Sequence, residues 1–93
     1  MNTYKLNIDI YSLADCGANL DKCVPVTIFY TGFDLDVMKT AMNTFILNAM
    51  HSLDVSDGET FLDINITKNG QHYDHEELTA FVDLNENTIT YEI

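Results

Sequence analysis

The opening residues MNTYKLNIDIY set Tyr4, Leu6, Ile8 and Ile10 against Lys5, Asn7, Asp9 and Tyr11, the period-two alternation of a strand with one buried face. The turn-rich stretch ADCGANLDKC follows. VPVTIFYT then predicts a second strand with Val24, Val26, Ile28 and Tyr30 on one side, opened by Pro25 where a missing N–H is tolerated. From Asp34 the period lengthens. Leu35, Met38, Met42, Phe45, Ala49 and Leu53 recur at steps of three and four, with Ala41, Ile46 and Met50 beside them, which predicts one long amphipathic helix. Thr31 or Asp34 can cap its start, Asp34 and Asp36 suit the positive end of its dipole, and His51 suits its last turn. DVSDGE then ends it.

Leu62, Ile64 and Ile66 alternate with Phe61, Asp63, Asn65 and Thr67, and Asn69-Gly70 predicts a tight hairpin. Beyond it, residues 75–84 fit either a helix or a strand. Asp74 and Glu77 have the spacing of an N-cap and capping box, whereas Ala80, Val82 and Leu84 alternate as a strand, and a strand over 78–84 is the preferred reading. After the turn LNEN, Ile89, Tyr91 and Ile93 predict a fifth strand. The order is β-β-α-β-β-β: one α+β domain over residues 1–93, with a five-stranded, mainly antiparallel sheet and the long helix packed on one face.

The face without the helix should then present Asn7, Asp9, Tyr11, Thr27, Phe29, Phe61, Asp63, Asn65, Thr79, Phe81, Asp83, Thr90 and Glu92, acids interleaved with aromatics. Side chains two apart on a strand sit about 6.8 Å apart. Carboxylates at that step, joined by Asp74, Glu76, Glu77 and Glu86 expected in loops, make a row of negative charge comparable in step to a nucleic-acid backbone. The plainer account is that acids keep a small domain soluble and that threonine and aromatic cross-strand pairs stabilise the sheet.

Charge decides between classes of partner. Fifteen acids face four lysines and no arginine, a formal charge of −11. Gripping phosphates needs clustered Lys and Arg, and anionic membrane surfaces attract basic segments, so direct nucleic-acid and membrane binding are both disfavoured. Such a field attracts cations and basic protein surfaces instead. The N-terminus lacks the basic start and apolar run of a secretory signal, so a cytoplasmic protein is expected. Residues 33–53 are interrupted by Asp34, Asp36, Lys39, Asn43 and Asn48, which argues against a membrane span.

Other chemistry is weakly supported. Cys16 and Cys23 form C-x6-C and His72 and His75 form H-x2-H, away from the usual zinc spacings, and free thiols are preferred to a disulfide in a reducing cytosol. Asp83, Asn85 and Asn87 match the start of a calcium loop, but Thr88 stands where glycine is needed, so a hairpin turn is expected. No nucleophile elbow, phosphate-binding loop or metalloprotease motif occurs, and neither enzymatic activity nor a cofactor is expected. His72, with acids at 59–63 and 74–77, could bind a divalent ion weakly; a raised histidine pKa and mild pH sensitivity are the more direct consequence.

The expected function is therefore an acidic interaction protein that inhibits a basic nucleic-acid-binding protein or nuclease as a nucleic-acid mimic. Its partner-binding residues would be Asp9, Phe61, Asp63, Asp74, Glu76, Glu77, Phe81, Asp83, Glu86 and Glu92. Replacing Asp63 and Asp83 by lysine should abolish binding and leave the fold intact. In size, charge and lack of catalytic motifs the chain resembles the small phage and mobile-element inhibitors of host defence nucleases: anti-CRISPR proteins, anti-restriction proteins and DNA mimics. That general resemblance implies action in the host cytoplasm and assigns no residue a role. Immunity proteins and antitoxins that mask a toxic nuclease share the profile. The alternatives are a metal module using Cys16, Cys23, His72 and His75, an assembly subunit docking through Phe29, Phe61 and Phe81, and a homodimer through the same face, which like charges would oppose.

Overall fold

Nine residues of strict alternation make β1 (Tyr4–Ser12), and eleven make β3 (Gly58–Lys68), its antiparallel neighbour with Ile8 opposite Ile64. In the computed structural model, which describes residues 1–16 and 23–92, five strands form one sheet in the order β2-β1-β3-β4-β5. The others are β2 (Val26–Gly32), β4 (Gln71–Asp83) and β5 (Thr88–Tyr91), and every neighbouring pair is antiparallel. The inward residues of the central pair, Leu6, Ile8, Ile10, Leu62, Ile64 and Ile66, are 0–1% exposed. Each such side chain contributes about 1.5–3 kcal/mol of burial free energy.

What covers them is α2 (Leu35–Ser52), which brings Met38, Met42, Ile46, Leu47 and Met50 into the same core. At about 1.5 Å per residue its eighteen residues run about 27 Å. Asp34 caps it, accepting the backbone N–H groups of Asp36 and Val37 through Oδ1. Leu53 is the C-cap and is exposed, so the apolar stripe ends one turn earlier than its periodicity suggests. Side chains fasten α2 across the sheet. Phe45 stacks on Tyr30 of edge strand β2 with centroids 3.6 Å apart, Lys39 Nζ donates to Glu76 Oε1 of β4 at 2.8 Å, and the Tyr91 hydroxyl of β5 donates to Asn43 Oδ1. Burial, then the nearby Glu76 charge, raise the Tyr91 pKa.

The element order is β-α-β-α-β-β-β, not β-β-α-β-β-β. The added element is one turn, α1 (Leu13–Cys16), immediately after β1. Long-range polar contacts hold it: Asp15 Oδ2 accepts the Ser56 N–H at 3.2 Å, and the Ser12 hydroxyl donates to the Ser56 carbonyl at 2.9 Å. The bonds to Ser56 lower the Asp15 pKa. Residue 56 is forty-one positions from Asp15, so local periodicity carried no sign of the turn. Val24 lies before β2 and is 90% exposed, and Ile93, expected in the last strand, lies outside the described residues.

The largest departure is in β4, which starts at Gln71 instead of near 78. Asn69 and Gly70 both take positive φ, 53° and 82°, the two left-handed residues of a tight hairpin turn, so pairing begins at once with Lys68 opposite Gln71. The capping-box spacing of Asp74 and Glu77 is overruled by a partner strand already in place. A bulge follows: Thr67 opposes His72 and Ile66 opposes Asp74, leaving Tyr73 as the extra residue on β4. Its ring meets Tyr4 edge-on at 5.8 Å. No helix among the described residues is long and apolar enough to cross a membrane.

Candidate functional site on the helix-free sheet face

Register assigns the face opposite α2. Since Leu6, Ile8, Leu62, Ile64, Ala80 and Val82 point to the core, their alternates Lys5, Asn7, Asp9, Glu59, Asp63, His75, Glu77, Phe81 and Asp83 point away. Among the described residues six carboxylates share this side: Asp9, Glu59, Asp63, Glu77, Asp83 and, just past β5, Glu92, whose N–H donates to the Thr79 carbonyl at 2.9 Å. Lys5 is the lysine among them, and its ammonium lies 4.8 Å from the Phe29 ring centroid. The expected face thus forms around Asp9, Asp63, Phe61, Phe81, Asp83 and Glu92. Phe29 and Phe81 are 59% and 55% exposed, while Phe61 is half-buried against Tyr11, centroids 5.9 Å apart.

At the centre, three acids stand side by side. Thr27 pairs with Asp9, Asp9 with Asp63, and Asp63 with Glu77, one row across four strands. Directly opposed side chains have Cβ atoms about 4.5–5.5 Å apart, and like charges there destabilise a sheet. The row is partly compensated. The Thr27 hydroxyl donates to Asp9 Oδ1 at 2.6 Å, and His75 Nε2 bonds Asp63 Oδ1 and lies 3.9 Å from Glu77 Oε1. The bond to Asp63 is the main cause that holds the exposed His75 imidazole above its ordinary pKa; desolvation opposes it, and the charges of Asp63, Glu77 and Asp74 add to it. In the adjoining row, Phe29–Asn7–Asn65–His75, the Asn7 side-chain oxygen is buried without a hydrogen-bond partner. An acceptor so placed costs on the order of 1–3 kcal/mol.

Asp74 and Glu76, expected as loop acids extending this surface, lie on β4 opposite Ile66 and Ile64, on the α2 side. Glu76 is engaged by Lys39, whose pKa rises chiefly through that hydrogen bond. Glu86 sits in the β4–β5 turn, where its N–H and that of Asn85 both bond Asp83 Oδ1 at 3.0 Å. Asp83 therefore shapes the turn as well as facing solvent, so its replacement by lysine would not leave the fold untouched. Two residues, Glu59 and His75, were not assigned to this face from the sequence. Glu59 continues the alternation two positions before Phe61, a legible signal. His75, not His72, joins the acids, because pairing through the Tyr73 bulge sets it diagonal to Asp63; that depends on register, which spacing does not reveal.

Cys23 is disulfide-bonded, where free thiols were expected, and this removes a thiolate that the Cys16, Cys23, His72 and His75 zinc set would require. Asp63, His75 and Glu77 bring three donor atoms within 4.8 Å of one another, fewer than a closed structural zinc site employs, and they are occupied with each other as an ion-pair cluster. No pocket forms among the described residues. Searches of family models, of curated proteins and of solved structures found no match to this chain.

Proposed function

We propose that this chain is a binding protein whose helix-free sheet face docks on the basic groove of a nucleic-acid-binding protein or nuclease and takes the place of its nucleic acid. The supporting observation is the row Asp9–Asp63–Glu77, three like charges at directly opposed positions on the face that α2 leaves uncovered. For folding alone such a row is unfavourable, and so is the orphaned Asn7 oxygen beside it; features that oppose stability and cluster on one surface are characteristic of sites kept for binding. Phe29 and Phe81 flank the row as exposed aromatic anchors, the residue type that carries binding energy at interfaces. The absence of a pocket among the described residues suits a macromolecular partner better than a small one. An inhibitor of the anti-CRISPR or anti-restriction kind, or an immunity protein, would use this chemistry.

The test replaces exposed acids whose side chains accept no hydrogen bond among the described residues, Glu77 lying 3.9 Å from His75 Nε2. Glu59→Lys with Glu77→Lys should preserve the thermal melt and lose the proteins that the parent captures from a cell lysate. DNA or RNA should displace those proteins competitively, and raising salt from low to high ionic strength should weaken capture steeply. Capture that survives both the double substitution and nucleic-acid competition would refute the proposal. Capture that persists in high salt but is lost on Phe29→Ser with Phe81→Ser would favour hydrophobic docking as an assembly subunit.

A further inference from the structure

We propose that His75 is a proton-operated counter-charge on this face: protonated, it occupies Asp63 and Glu77 and masks the carboxylate row; deprotonated, it leaves the row open to the cationic side chains of a partner. This rests on reading the face as a cation-binding surface and adds its regulation. The geometry is specific to one histidine. Asp63 bonds His75 Nε2 from β3, Glu77 approaches the same nitrogen at 3.9 Å from β4 itself, and Asp9 stands opposite Asp63 from β1. Asp74, the preceding residue, accepts the His75 backbone N–H at 2.9 Å and adds a fourth negative charge. Lys5 is the nearby cation on the same face, but it stands beyond Asn7 on β1 and is turned to Phe29. On the other side of the sheet Lys39 of α2 is held by Glu76. His72 pairs with Thr67, and His51 at the end of α2 meets Asn87, so neither other histidine touches an acid of the row.

A partner ammonium that takes the Asp63 carboxylate must compete with the protonated imidazole. Binding then releases a proton. Below the histidine's titration midpoint, affinity falls by up to tenfold per pH unit; above it, affinity is level. The hydrogen bond that the imidazolium donates to Asp63 raises that midpoint, which moves the transition toward neutral pH.

The experiment measures the affinity of a hexalysine peptide at low ionic strength from pH 5.5 to 8.5, for the parent chain, His75→Gln, His72→Gln and Glu59→Lys/Glu77→Lys. The expected result is parent binding about tenfold tighter at the top of the range than at the bottom, an unchanged profile for His72→Gln, and a profile flat within about twofold for His75→Gln. A parent profile that is already flat, or one retained in His75→Gln, would overturn the counter-charge role while leaving the binding face intact. If the parent does not bind, or the double lysine variant binds equally well, the reading of the face fails and the counter-charge role falls with it.

Discussion

Asp63 has the most consequential surroundings of any single residue here, since one carboxylate faces Asp9 on one side, Glu77 on the other and the His75 imidazole between strands. The sign of its contribution changes with pH. Because the folded-state pKa of His75 is raised above its usual 6.5, the Asp63–His75 attraction stabilises the fold fully below that value and is lost as pH rises through the raised one. Above it, Asp63 is only a third like charge. Asp63→Asn should therefore melt below the parent near pH 5.5 and equal or exceed it near pH 9, with the His75 imidazole resonance titrating at lower pH in the variant. A parent advantage that stays constant across this range would show that His75 is not coupled to Asp63. Asp9 and Asp63 were legible from alternation alone, whereas Glu77, expected in a loop, joins them only because β4 begins at Gln71. Their counter-ion was not legible, because His72 and His75 differ only in which side of the Tyr73 bulge they occupy.

At the scale of elements, β1, β2, β3 and β5 were legible from a two-residue period; β1 and β3 carry the core, and their inward residues match those the alternation selects. The helix was legible from its three- and four-residue period, including Asp34 as its cap. Where two local signals competed, long-range pairing decided. DHEE resembles a helix start, yet the Asn69-Gly70 turn sets it in register with β3, where its backbone joins the sheet ladder. That turn is consequently the element on which the register of the whole face depends. Gly70→Ala forces a side chain onto φ +82°, and an unfolding titration should show a loss of roughly 1 kcal/mol or more, with the open-face pairing weakened at its hairpin end. Unchanged stability would mean that the turn does not govern the register.

For the whole molecule, a charge of −11 on 93 residues is not by itself a binding site. Other acids stand elsewhere: Asp34 and Asp36 at the start of α2, Asp54 and Asp57 in the connection to β3, Asp74 and Glu76 on the helix side. What distinguishes the open face is arrangement, six carboxylates of the described residues on one side of neighbouring strands, three of them directly opposed across the register, with aromatic rings among them. Total charge would draw a cation to every acidic region alike, whereas a built surface would draw it to one. Chemical-shift mapping of the isotope-labelled chain with hexalysine separates the two most directly. The expected perturbations centre on Asp9, Asp63, His75 and Glu77 and their strand neighbours, with Asp34, Asp36, Asp54 and Asp57 little affected; perturbations of equal size at both ends of α2 would contradict the assignment of this face as the binding surface.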